Sequence, residues 1–348
     1  MRYKLLGKSG LRVSELCLGT MTFGEDWGWG TSPEESKKVF DAYAAAGGNF
    51  IDTANRYTNG SSEKIVGDLV AADRDYFVLA TKYSLNTRPD DPNASGNHRK
   101  NLVQSLDASL KRLDTDYIDL YWVHAWDFMT PVEEVMQTLN DVVRSGKVLY
   151  VGISDTPAWI VSRANMLAGL RGWTPFIGLQ IEYSLIQRTV ERELLPMAQA
   201  LNLGVMAWSP LASGLLSGKY TRTDSSGAGT AKGVRRLDTV ALHAQHEQNL
   251  TIARTVDAIA DEIGQTSAQV AINWVRQQGE VIPVLGARKA SQLQDNLACL
   301  EFTLTTEQME RLNEVSQIEL GFPHDFLHSR QESIYGNTLA KIDHPTRL

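Results

Sequence analysis

The chain has little of what would commit it to several functional classes. Among 348 residues only Cys17 and Cys299 are cysteines, too few for a disulfide framework or a cysteine-based metal site, so both read as core fillers. Positive charge is in deficit. The 34 Lys and Arg against 41 Asp and Glu leave a net charge of −7, whereas a nucleic-acid surface needs a basic footprint. No apolar run approaches the ~18 residues of a membrane span. The opening "MRYKLLGKSGLRVSELCLG" holds no long apolar core followed by a cleavage site. The expectation is a cytoplasmic protein, a monomer or small homo-oligomer, with neither a membrane nor a nucleic-acid partner. Histidine pairs are also thin. His243 and His246 in "HAQHEQN", like His324 and His328 in "GFPHDFLHS", come without a third ligand, so no metal is expected.

What the chain does have is one alternation repeated along its length. Eight apolar runs are each followed by a helical pattern: "ELCLGTM", "GNFIDTA", "DYFVLATKY", "DYIDLYWVHAW", "VLYVGISD", "PFIGLQIEYS", "LGVMAWSPL" and "GEVIPVLGA". Rich in Val, Ile, Leu and aromatics without clean alternation, they fit strands covered on both faces. The helices carry start and stop signals. "PEESKKVFDAYAAAG" begins after Ser32 with Pro33, Glu34 and Glu35 and stops at Gly47. Another is expected over "VERELLPMAQALN". Eight β/α units predict an α/β fold, a (β/α)8 TIM barrel, over 1–348 as a single domain. The rival, a doubly wound open sheet, needs a glycine fingerprint in its first βα turn. "GWGTSP" lacks the final glycine and reads as a loop. The hairpin "RYKLLGKSGLRVSE" is expected to cap the barrel bottom. "SLNTRPDDPNASGNHRK" and the mobile-looking "TRTDSSGAGTAKGVRR" form long loops.

In such a barrel the chemistry sits at the C-terminal strand ends. The second strand ends at Asp52, with Tyr57 in its loop; the third ends in Lys82 and the fourth in His124. Singly, a strand-end Lys is more often a rim charge, and a His more often a satisfied core group. On three successive strand ends, an acid, a phenol, an amine and an imidazole are too many for coincidence. Reducing a carbonyl requires a hydride on carbon and a proton on oxygen. Tyr57 can give that proton, Lys82 can bias the phenol towards ionisation, Asp52 can hold Lys82, and His124 can polarise the carbonyl.

These four residues resemble the tetrad of the aldo-keto reductase superfamily. The resemblance runs from Arg2 to Glu319 through "FIDTANRY", "VLATKY", "DLYWVHAWD", "AWSPLASGLLSGKY" and "LGARKASQLQDN". "GISDTPAW" followed by "QIEYSL" is most similar to the aryl-alcohol dehydrogenase-like branch. The resemblance implies an NADP-dependent oxidoreductase that reduces aldehydes or ketones reversibly. It implies that Ser154 and Gln180 bind the nicotinamide amide and that Trp208 stacks on its ring. Asp155 stands where the family commonly has Asn. The cradle would extend to Gly19, Thr20, Met21 and Asp52. Ser209, Pro210, Leu211, Ser213, Gly214 and Lys219 would take the pyrophosphate, with Gly286, Arg288, Gln292 and Asn296 around the adenosine.

Arg288 also carries a reading from chemistry. The turn Gly286 to Lys289 offers backbone N–H groups at a helix start, and a guanidinium suits a phosphate, so NADPH is expected to be preferred over NADH. Trp27, Trp29 and Trp126, with His124, are candidates for a pocket for aromatic carbonyls. Two alternatives share the barrel: a non-enzymatic subunit that senses cofactor occupancy, and a cofactor-free isomerase or lyase.

Overall fold

A computed structural model describes residues 1–222 and 247–342. The expected mobile loop "TRTDSSGAGTAKGVRR" therefore lies outside the described residues beyond Arg222, as do His243 and His246.

The eight apolar runs are the eight strands of a closed parallel barrel. They are β3 Cys17–Gly19, β4 Phe50–Asp52, β5 Val78–Tyr83, β6 Ile118–Val123, β7 Val148–Ser154, β8 Gly178–Glu182, β9 Gly204–Trp208 and β10 Val281–Gly286. Closure comes where β10 pairs with β3, Gly286 opposite Gly19. The register sets Gly19 beside Asp52, and Asp52 beside Ala80. Strand ends distant in sequence are thereby brought to one mouth.

The lack of alternation has its cause in two apolar layers. Outward side chains such as Leu18, Ile51, Leu79, Tyr121 and Val151 pack under the helices. Inward ones, including Cys17, Phe50, Ala80, Leu120, Trp122 and Met206, fill the barrel. Trp122 is the plug, and the sequence makes room for it. A Cβ on Gly152 would stand 2.3 Å from its ring, one on Gly178 2.9 Å.

The hairpin of β1 Tyr3–Leu5 and β2 Arg12–Ser14 closes the bottom. Leu6 and Val13 join the inner layer, and Lys8 N donates to Asn202 O ahead of β9. Cys17 and Cys299 are both buried and free.

Helix α1, Pro33–Ala45, starts where its signals place it, with Ser32 Oγ accepting from Glu35 N. Helices α2 Ser61–Val70, α3 Arg99–Leu113, α4 Val132–Arg144 and α5 Ala158–Arg171 follow β4 to β7. The segment "VERELLPMAQALN" departs from expectation. It is a 3₁₀ turn, Thr189–Glu191, and then a short helix α6, Leu194–Ala200. Pro196 explains the break: a proline fits only the first turn of a helix, so α6 cannot extend further back. After β9 the described α-helices are α7 Glu247–Ile263, α8 Ser267–Arg276, α9 Ala290–Leu297 and α10 Thr306–Val315, then the short α11 His324–Ser329 and α12 Gln331–Tyr335. No helix among the described residues is long and apolar enough to cross a membrane.

Candidate active site

The second β/α loop leaves β4 at Asp52, and its backbone is pinned to β5 by Thr53 N to Ala80 O and Asn55 N to Lys82 O. That pinning carries Tyr57 back over Lys82. Lys82 is fully buried and donates to the Asp52 carboxylate, to Thr53 O at 3.0 Å and to the Tyr57 hydroxyl oxygen at 2.9 Å. All three of its protons are thus directed. The other Asp52 oxygen accepts from Gln180 Nε2 at 3.0 Å. The Tyr57 and His124 rings meet edge to face, with centroids 5.8 Å apart. The structure therefore brings Asp52, Tyr57, Lys82 and His124 together as one cluster.

Burial opposes the Lys82 ammonium, but the Asp52 carboxylate and Tyr57 outweigh it and hold the amine above its ordinary value. Burial raises the Asp52 carboxyl against the pull of Lys82. The raised amine favours keeping the shared proton on nitrogen, and the raised carboxyl works against it. For Tyr57 burial also comes first. It outweighs the lowering by Lys82, and the phenol lies above its ordinary value. Lys82 does pull the phenol towards ionisation, as expected from the sequence, and burial, which the sequence reading did not weigh, exceeds that pull. Burial, then the Lys82 charge, sets the His124 imidazole well below its ordinary value, so it is neutral. Its Nδ1 is buried without a partner.

Above the cluster opens a cavity of about 690 Å³, well within the range of a site for a small molecule. Its lining includes Gly19, Met21, Asp52, Ser154, Asp155, Gln180, Trp208, Ser209, Pro210, Leu211, Ser213, Gly214, Gly286 and Asn296 from the expected cofactor set, with Trp27, Trp29, Tyr57 and His124. Two observations fit a nicotinamide dinucleotide. Ser154 Oγ is buried without a hydrogen-bond partner, an acceptor and donor ready for an amide. It lies near enough to the Asp155 carboxylate to lower it, yet makes no hydrogen bond of good geometry with it. A Cβ on Gly214 or Gly286 would meet no protein atom within 4 Å, so both leave room along the cavity.

Other expected residues lie elsewhere. Thr20 is buried behind the cavity, with its hydroxyl donating to Asp52 O. Lys219 lies over the Tyr220 ring, 5.6 Å from its centroid. Trp126 packs against the outer apolar layer rather than lining the pocket. Arg288 and Gln292 are exposed and do not line the cavity. The turn that carries them is less open than its sequence suggests. Arg288 N donates to Gln292 Oε1 at 3.0 Å, and Ala290 N donates to Glu35 Oε1 at 3.3 Å. A carboxylate from α1 thus already occupies part of the anion-attracting start of α9.

Asp155, left without a role by its sequence position, accepts from Trp208 Nε1 at 3.1 Å and so fixes the indole. Burial raises its carboxyl. Residues missed by the sequence reading also line the cavity, among them Thr22, Arg56, Leu85 and Glu182. Glu182 had a readable signal, because it stands two residues after Gln180 in β8, and alternate strand residues share a face. Burial, then the Asp155 charge, raises its carboxyl.

Comparison with known proteins agrees with this geometry. The family described as "Aldo/keto reductase family" matches residues 15–317. A norsolorinic acid reductase of Aspergillus flavus is 37% identical, over 97% of this chain and 87% of its own length. An aryl-alcohol dehydrogenase [NADP(+)] of Phanerodontia chrysosporium is 38% identical, over 90% of this chain and 86% of its own. An aryl-alcohol dehydrogenase of Pestalotiopsis microspora is also 38% identical, over 94% and 85%.

Proposed function

The chain belongs to the aldo/keto reductase family, and on that premise we propose that it is an NADPH-dependent reductase of aldehydes and ketones, with aromatic carbonyls as its substrate class. The observation that carries this reading is Lys82, whose ammonium donates to Asp52 and to the Tyr57 hydroxyl on the floor of the cavity.

Ser154, Gln180 and Trp208 would hold the nicotinamide end of the cofactor, and the Ser209–Gly214 stretch its pyrophosphate. When bound, the nicotinamide supplies the hydride. Everything else falls to the chain's own groups. Tyr57 gives its hydroxyl proton to the carbonyl oxygen as negative charge develops there. The phenol lies above its ordinary value, so it is protonated at neutral pH, which suits reduction more than oxidation. Lys82 stabilises the tyrosinate left behind, and its fixed contact with Asp52 keeps it in place. Neutral His124 has its Nδ1 buried without an acceptor. Its proton therefore belongs on Nε2, which can donate to the same carbonyl oxygen.

Trp27 and Trp29, with ring centroids 5.3 Å apart, form an apolar wall that suits aromatic rings. Support for NADPH comes from Arg288 and from the cofactor named for the Phanerodontia chrysosporium relative. A panel of aromatic and aliphatic carbonyls, followed by loss of NADPH absorbance, tests the proposal. Turnover with aromatic aldehydes is expected. Cofactor binding with no turnover across the panel would contradict it and favour a sensing subunit.

A further inference from the structure

A second hollow, of about 350 Å³, lies beside the main cavity between the loop after β4, the loop after β5 and one face of α3. Arg56, Arg88 and Arg112 line it together with Asn55, Asn101 and Gln104, and no residue of the lining is acidic. Arg56 is the residue common to this hollow and the main cavity.

The three guanidiniums are not equally committed. Arg112 Nε donates to the buried Glu63 carboxylate at 2.6 Å, and exposed Arg88 pairs with half-buried Asp91 at 2.6 Å. Arg56 has no carboxylate among the described residues. It donates to Asn59 Oδ1 at 2.6 Å and stands 5.9 Å from the Trp27 ring centroid. Gly60 shapes the hollow, for a Cβ there would lie 2.9 Å from Arg112 Cδ. An independent observation points to a ligand. Asn55, only 3% exposed, lines the hollow, and its Oδ1 is buried with no hydrogen-bond partner. A cluster of cations asks for acceptor oxygens, and an orphaned amide oxygen asks for a donor.

We propose that this hollow binds a phosphate group. A phosphate or phosphomonoester presents several acceptor oxygens to guanidinium forks. Near neutral pH its second ionisation is incomplete, so it also carries an O–H that Asn55 Oδ1 can accept. Two sources share this chemistry, free inorganic phosphate and the phosphate of a phosphorylated carbonyl substrate. Because Arg56 borders both cavities, a ligand here would draw its guanidinium from the Trp27 face and so reach the carbonyl pocket.

The test is calorimetric titration of inorganic phosphate at fixed ionic strength into the protein with NADP+ present, so that the cofactor's own phosphate sites are filled. Wild type is compared with Arg88→Gln and Gln104→Glu, two exposed positions where folding is not at stake. One saturable site is expected, weakened about tenfold or more by each variant. This readout needs no turnover, so it stands or falls apart from the proposed reductase activity. Binding unchanged in both variants, or no saturable binding, overturns the proposal. The source is then read from KM. If glyceraldehyde 3-phosphate has a lower KM than glyceraldehyde and Gln104→Glu raises that KM alone, the phosphate arrives on the substrate. Parallel behaviour of the two aldehydes assigns the site to free phosphate.

Discussion

At the floor of the main cavity Lys82 is fully buried and its partners are all internal: Asp52, Thr53 O and Tyr57, with Gln180 bracing Asp52 from the far side. At the rim, Arg288 is exposed, its backbone N–H is turned to Gln292, and Glu35 from α1 holds the Ala290 amide at the start of α9. The floor is complete before anything binds. The rim carries its charge on exposed or half-buried groups. A buried charge without its partner is costly, so the floor must be prebuilt, whereas exposed charges are solvated and cost little to leave apart.

The largest effect that would break this contrast lies at Lys82. Lys82→Met leaves Asp52 buried with only the Gln180 amide. It is expected to cost about 3–5 kcal/mol of stability in urea denaturation and to lower kcat by ~10²-fold or more. Unchanged melting and kinetics would mean that the floor is not an energetic unit.

At the rim the expectations are smaller and concern affinity alone. Arg288→Ala should weaken NADPH by roughly 10- to 100-fold with NADH scarcely changed, read by tryptophan fluorescence titration. Equal weakening of both cofactors would place the 2′-phosphate elsewhere. Glu35→Gln sharpens the same point in the opposite direction. Removing a carboxylate from the start of α9 should tighten NADPH by about a few-fold, and no change would separate Glu35 from the phosphate's surroundings. The smallest expected effect is none at all. The His124 imidazole is lowered from its ordinary ~6.5 and the Tyr57 phenol raised from its ordinary ~10. His124 therefore gains no proton, and Tyr57 loses none, between about pH 6 and 8. In that window kcat/KM for reduction should be flat. A step near the ordinary histidine value would show a titrating imidazole.

The same contrast explains what could be read from the sequence. All eight barrel strands were visible as apolar runs, because burial on both faces leaves a local mark in composition. The four floor residues were visible because parallel strand ends share one mouth. Contacts between distant segments left no such mark. Gln180 meets Asp52 across 128 positions, and Glu35 meets Ala290 across 255. Trp126 shows the limit in the other direction. An aromatic just past a strand end can turn either to the cavity or to the packing beneath it, and its position alone does not decide which. Pro196 was legible, yet its consequence for α6 depended on where that helix began.

The central claim is that Tyr57, held by Lys82, delivers the proton for a carbonyl reduction. Its most direct test is transfer of label from NADPH deuterated at the nicotinamide C4 to the carbonyl carbon of an aromatic aldehyde. The alcohol is read by NMR, in wild type and Tyr57→Phe, with NADPH affinity measured for both. The account predicts deuterium on the alcohol carbon with wild type, almost none with Tyr57→Phe, and closely similar NADPH affinities. Label transfer by Tyr57→Phe at the wild-type rate would contradict it.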